Sequence, residues 1–122
     1  MPKDGDGKKL TVLVGKPNFV QAHTEGFRAI PQIFALHQNY PNPFNPTTVI
    51  RYELPTVGNV SLKLYNLLGK EVLTLENDAP HEPGFYEKVI DLRNFASGIY
   101  FYRISVSGEK RFAATRKMAL AK

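Results

Sequence analysis

The run Thr47-Thr48-Val49-Ile50-Arg51-Tyr52-Glu53-Leu54 and, past Pro55 and Gly58, the run Val60-Ser61-Leu62-Lys63-Leu64-Tyr65-Asn66 decide the fold class. Side chains alternate across a β-strand with a period of two, so a half-buried strand alternates apolar and polar. In the first run Thr48, Ile50, Tyr52 and Leu54 share one face, and Val49, Arg51 and Glu53 share the other. In the second, Val60, Leu62 and Leu64 oppose Ser61, Lys63 and Tyr65. Both runs read as strands with one face on a core.

The same pattern continues downstream. Leu67-Leu68-Gly69-Lys70 reads as a hairpin turn, with glycine supplying positive φ. Lys70 to Leu75 returns as a strand whose Val72, Leu73 and Leu75 break strict alternation, which predicts a bulge. Asn77 to Gly84, with Pro80 and Pro83, reads as a loop. Phe85–Leu92, Ile99–Val106 and Arg111–Leu120 supply the remaining strands. The last has several helix-forming alanines, yet Phe112, Ala114, Met118 and Leu120 share parity, with Arg116 the polar interruption. No window of helical length carries an amphipathic stripe. The expectation is an all-β chain, an immunoglobulin- or fibronectin-III-like antiparallel β-sandwich of about six to seven strands.

Upstream, Tyr40-Pro41-Asn42-Pro43-Phe44-Asn45-Pro46 cannot be helix, because its prolines fix φ and remove N–H donors. It reads as a stiff lead into the domain, with Tyr40 and Phe44 placed to pin it to the core. Residues 1–36 differ in character. Lys9 to Val14 reads as one strand, and Asn18 to Gln32 shows no sustained period. The expected organisation is a tail strand of a preceding β domain plus linker over 1–36, then the sandwich over 37–122. An unpaired strand has to dock on an edge or on a neighbouring chain.

With 122 residues there is room for one domain, and 43% apolar with 22% charged residues is ordinary for a globular protein. Cysteine is absent, which excludes disulfides, thiolate zinc sites and cysteine nucleophiles. The first residues lack the apolar core of a signal peptide, and no stretch is long enough for a membrane-spanning helix. If the parent protein is secreted, its export signal is expected upstream, on a longer protein. Net charge is +5, concentrated in Lys110, Arg111, Arg116, Lys117 and Lys122. Such a patch suits an acidic partner, or simply keeps an edge strand soluble.

Catalytic chemistry is not legible. His23, His37 and His81 sit in linker- or loop-like sequence, without metal-ligand spacing. There is no phosphate loop, nucleophile elbow or paired acid in one strand register. No enzyme activity, cofactor or metal is expected. Phe95-Ala96-Ser97-Gly98-Ile99-Tyr100 resembles the tyrosine corner of sandwich folds, whose hydroxyl bonds a backbone group just upstream.

Four motifs occur in order: Asn39-Tyr40-Pro41-Asn42-Pro43-Phe44-Asn45-Pro46-Thr47-Thr48, Tyr65-Asn66-Leu67-Leu68-Gly69-Lys70-Glu71-Val72, Ser97-Gly98-Ile99-Tyr100-Phe101-Tyr102-Arg103 and Thr115-Arg116-Lys117-Met118. Together they closely resemble the type A C-terminal sorting domain of the type IX secretion system. They are also similar to the immunoglobulin-like domain of flagellar hook-capping proteins. The resemblance covers about residues 36–122. It implies a non-catalytic C-terminal secretion signal that directs a larger cargo across the outer membrane of a Gram-negative bacterium, via the periplasm, to the cell surface or medium. The implied partners are the type IX translocon or shuttle, a sortase-like peptidase and, for the cleaved cargo, an anionic lipopolysaccharide. Family motifs fall on Pro83 and Gly84, on Gly98 with Tyr100, and on Lys117-Met118-Ala119-Leu120. With Arg116 beside them, Pro83, Gly84, Gly98, Tyr100, Arg116, Lys117, Met118 and Leu120 are the expected recognition residues. Lys88 departs from the inward apolar set at positions 86, 88 and 90 of relatives, so either the register shifts there or Lys88 snorkels.

The last strand, at a sheet edge, is the expected machinery-facing element, because an edge can be read by strand addition without chemistry. Two alternatives stand beside this reading. An accessory spacer or carbohydrate-binding module would use Tyr65, Phe101 and Tyr102 as a weak aromatic row. A strand-exchanging filament subunit would use Lys9 to Val14. Nucleic-acid binding has only the basic tail in its favour.

Overall fold

A computed structural model describes residues 29–122 of the chain. The expected strand Lys9–Val14 and His23 lie outside the described residues. Within them the chain is all β: β1 (Ala35–Leu36), β2 (Thr47–Leu54), β3 (Gly58–Tyr65), β4 (Glu71–His81), β5 (Gly84–Asp91), β6 (Gly98–Gly108) and β7 (Phe112–Leu120). Two antiparallel sheets, ordered β1-β2-β5 and β4-β3-β6-β7, pack face to face. This is the sandwich that the alternation predicts.

The inward parities hold. Ile50, Tyr52 and Leu54 from β2, Val60, Leu62 and Leu64 from β3, Tyr102 and Ile104 from β6, and Met118 from β7 are all fully buried. Each such aliphatic side chain contributes about 1.5–3 kcal/mol by leaving water. The β3–β4 turn also forms as read. The Asn66 side-chain oxygen accepts from the N–H groups of Leu68 and Lys70, and Gly69 takes φ 82°.

Strand structure reaches beyond the sequence reading, most clearly in β4 and β1. Strand β4 runs on through Asn77 to His81, where the sequence pointed to a loop, with Gly58↔His81 and Asn59↔Pro80 still in register. It is an edge strand, and an edge tolerates a proline because the missing donor costs no ladder bond. Several register shifts along β3–β4 absorb the irregular apolar pattern, as the expected bulge requires. At the other end, β1 adds Ala35 and Leu36 to β2 (Ala35↔Glu53, Leu36↔Tyr52), so strand structure starts before residue 37. Leu36 is buried, and Phe34 stacks on Phe112 with ring centroids 5.1 Å apart.

Strand β5 keeps its register through Lys88, which lies opposite Ile50. The lysine points to the core side and forms an ion pair with Glu76 of β4, in the opposite sheet. This flank of the sandwich is thus spanned by a charge pair in partial contact with solvent and left open rather than filled by hydrocarbon.

Candidate functional site

The strap formed by residues 37–46 is tied to the C-terminal segment through Gln38, Asn42 and Phe44. Phe44 is buried and bridges to Leu120 in parallel fashion. Its N–H donates to the Ala119 carbonyl (3.0 Å), and its own carbonyl accepts from Ala121 N–H (2.9 Å). The Asn42 side-chain oxygen accepts from Ala119 N–H (3.0 Å), and Gln38 Nε2 donates to the Lys117 carbonyl (2.7 Å). Arg116 Nε donates to the Leu36 carbonyl (2.6 Å), which explains the one polar residue in the inward parity of β7. The Tyr102 hydroxyl donates to the His37 carbonyl (2.6 Å) and accepts from Asn39 N–H (2.7 Å). Burial pushes the Tyr102 phenol above its ordinary pKa, against the opposing pull of Asn39 N–H and Arg116.

Buried Asn39 locks the strap on itself. Its amide donates to Thr48 Oγ1 (3.0 Å) and to the Pro41 carbonyl (3.1 Å), and Thr48 Oγ1 donates to the same carbonyl (2.8 Å). Buried polar groups have to be paired, and here they are paired with one another. The peptide bonds preceding Pro41, Pro43 and Pro46 are cis.

Strand β7 is the outer strand of its sheet, as expected, and pairs with β6 alone. The bonds made by Lys117, Ala119 and Ala121 show that its odd-numbered residues turn their backbone groups away from β6. The edge is therefore divided. From Lys117 to Ala121 it is occupied by the strap; at Ala113 and Thr115 no described strand hydrogen-bonds to it, although β1 passes alongside, with Phe34 stacked on Phe112 and the Leu36 carbonyl on Arg116.

The eight sequence-predicted recognition residues separate into two groups. Gly98, Tyr100, Arg116, Lys117, Met118 and Leu120 come together where β6 and β7 meet, with Gly98 opposite Leu120 and Tyr100 opposite Met118. Pro83 and Gly84 lie at the opposite end, beside His81 and Leu54. Met118, Leu120 and Tyr100 are core residues, whereas Arg116 and Lys117 are exposed. Tyr100 forms the tyrosine corner as read: its hydroxyl donates to the Ala96 carbonyl (2.6 Å), and Gly98 takes φ 149° to admit the turn. A second corner was not anticipated. The Tyr86 hydroxyl donates to the Glu82 carbonyl (2.6 Å) across Pro83-Gly84-Phe85. The shared spacing Gly-x-Tyr was the available signal.

The two described histidines take structural positions. His37 meets Glu53 (2.5 Å), a contact that no sequence spacing announced. His81 ends β4; its Nδ1–H donates to the Ala79 carbonyl and its Nε2 accepts from the Tyr52 hydroxyl (both 2.9 Å). Burial, aided by Glu76 and Tyr86, pushes the Tyr52 phenol far above its ordinary pKa. Among the described residues no group of three or more His, Asp or Glu is placed to hold a metal ion, and no helix is long and apolar enough to cross a membrane. Of the three rings in the proposed sugar-binding row, Tyr102 is fully buried, so only Tyr65 and Phe101 remain on the outer face.

A family model described as "Secretion system C-terminal sorting domain" matches residues 38–119, from the strap to the end of β7. Comparison with curated proteins and with solved structures found no match. The matched span is about two thirds of the sequence and holds both partners of the strap–β7 union. The chain belongs to the family of type IX secretion C-terminal sorting domains.

Proposed function

We propose that this domain labels a larger cargo for passage through the type IX outer-membrane translocon, and that the label is read chiefly at the open half of the β7 edge. The cargo reaches the cell surface or medium of a Gram-negative bacterium. A sortase-like peptidase removes the domain by cutting ahead of the sandwich, leaving the cargo free or joined to an anionic lipopolysaccharide. Arg116 and Lys117 contribute directly, because they are exposed on β7. Tyr100, Met118 and Leu120 act through the core by holding β7 straight. Gly98 sets the corner that brings β6 into register with it. Pro83 and Gly84 set the second corner, at the far end.

The observation that carries this reading is the divided edge. The strap holds the last residues of β7 in place, while the outward backbone groups at Ala113 and Thr115 are unclaimed by any described strand. Such a half-edge offers main-chain hydrogen bonds to an added strand without letting the terminal strand peel away.

The test is a reporter with a periplasmic signal peptide, fused to residues 1–122, in a bacterium with a working type IX system. Arrival at the surface or in the medium supports sorting; retention in the periplasm refutes it. Thr115→Pro then probes the edge. The Thr115 N–H points away from β6, so proline leaves the β6–β7 ladder intact and blocks an incoming strand. Export should fall at least tenfold while the purified domain keeps its thermal midpoint within a few degrees. Wild-type export of this variant would rule out strand addition. Deletion of residues 113–122 is a poorer probe, because it also removes Met118 and Leu120 from the core.

A further inference from the structure

The outer face of the β4-β3-β6-β7 sheet carries cations in adjacent rows. Lys63 on β3 lies directly opposite Arg103 on β6, and Arg103 lies opposite Thr115 on β7. The next row reads Tyr65, Phe101 and Lys117. Like charges directly opposite on neighbouring strands repel and oppose sheet formation. Here the only ion pair of the two is Lys63 with Glu71, at 3.6 Å. Arg103 is exposed and has no ion-pair partner among the described residues. Between the two cations lies an open hollow of about 140 Å³, also lined by Ser61, Tyr65 and Ser105, with room for one oxyanion among hydroxyl donors.

We infer that this face is a docking surface for an acidic, extended segment of a partner protein, its carboxylates seated on Lys63, Arg103 and Lys117. The inference rests on the sorting reading and names the chemistry of the reader. A strand added beside Ala113 and Thr115 projects alternate side chains onto the same face, next to Thr115 and Lys117, so edge and face form one continuous surface. Arginine suits this role because its planar fork meets a carboxylate with two parallel hydrogen bonds. An anionic polysaccharide fits less well: tryptophan is absent and Tyr102 is turned into the core, so the ring row on which sugars stack is reduced to Tyr65 and Phe101. A face of this kind accelerates encounter and rejects basic partners, and its contribution weakens as salt rises.

The experiment compares two double charge reversals in the same exported reporter. K63E/R103E alters the face; K110E/R111E makes the same change in net charge at the exposed β6–β7 turn. The expected result is at least a tenfold loss of export for K63E/R103E and near-normal export for K110E/R111E, with both purified domains folded by circular dichroism and thermal melting. Equal export of all three proteins overturns the inference and leaves sorting intact, since the wild-type reporter still leaves the cell. An equal fall in both variants overturns it in favour of bulk charge. Failure of the wild-type reporter refutes sorting itself. A sulfated-polysaccharide column supplies the remaining arm. Retention lost in K63E/R103E, with export unchanged, would assign the face to an anionic polysaccharide instead. If K63E/R103E is unfolded, K63Q/R103Q replaces it, with the same two readings of its export.

Discussion

Two five-residue stretches build the same device in different surroundings. Glu82-Pro83-Gly84-Phe85-Tyr86 and Ala96-Ser97-Gly98-Ile99-Tyr100 each set a tyrosine hydroxyl on the carbonyl four residues back, at 2.6 Å in both. The Tyr100 corner lies at the end sealed by the strap, where Phe95 meets its ring edge-on at 6.2 Å and Phe44 and Leu120 close the core. The Tyr86 corner lies at the open flank, its ring stacked on Tyr52 at 5.4 Å and tilted against His81 at 4.6 Å, with the Lys88–Glu76 pair nearby in place of hydrocarbon. The local geometry is shared; the closure is not. The end where the strap meets β7 is held by burial and by paired backbone groups, so the strand proposed to meet a reader is tied down at that end.

The largest expected effect follows from emptying the sealed end. Phe44→Ala removes a fully buried ring and leaves a cavity under Leu120, for a loss of about 3–5 kcal/mol in urea unfolding. A loss below 1 kcal/mol would mean that the strap is a passive cover, and the comparison would fail. Next comes Tyr102→Phe, which removes the acceptor of buried Asn39 N–H and the donor to the His37 carbonyl. It should cost about 1–3 kcal/mol. Hydrogen exchange at Ala119 and Ala121 should rise in the same variant if the strap and β7 act as one unit.

Much of this was legible from residues alone. Strict alternation in β2 and β3 fixed two strands and their faces, because a period of two has no competing reading over eight residues. The Tyr100 corner was legible because turn, glycine and tyrosine are all local. The rest depended on partners distant in sequence. Pro80 read as a loop because its tolerance required knowing that β4 is an edge. Lys88 looked like a departure until Glu76 arrived from the other sheet. The strap motif was visible as a family mark, but its bonds to Lys117, Ala119 and Ala121 span more than seventy residues, and no local pattern encodes them.

A pH titration sharpens the contrast from the open flank. Unfolded, the Tyr52 phenol titrates near 10; folded, burial beside Glu76 and Tyr86 keeps it protonated well above that. A raised native pKa leaves stability whole below pH 10 and erodes it as pH climbs beyond, because the unfolded chain releases a proton that the native state retains. The slope is at most about 1.4 kcal/mol per pH unit for one such group. Tyr52→Phe should flatten the alkaline fall of the urea midpoint. A fall unchanged in that variant would assign it elsewhere, first to Tyr102, whose phenol is raised in the same direction.

The two corners themselves should differ less, but in a fixed order. Tyr100→Phe removes a part-buried hydrogen bond and should cost about 1 kcal/mol; Tyr86→Phe removes an exposed one, which water replaces, and should cost about half of that. The smallest effect is expected from Lys88→Met. Its ion pair with Glu76 spans the open flank in partial contact with solvent, where attraction and desolvation nearly cancel. Replacing the lysine by a flexible apolar chain leaves Glu76 free to face water and adds hydrocarbon beside Ile50 and Ile90, so the urea midpoint should shift by less than about 1 kcal/mol in either direction. A loss of 3 kcal/mol or more would show that Glu76 is stranded without its partner. The flank would then be sealed by charge as firmly as the opposite end is sealed by Phe44, and the asymmetry drawn between the two corners would be false.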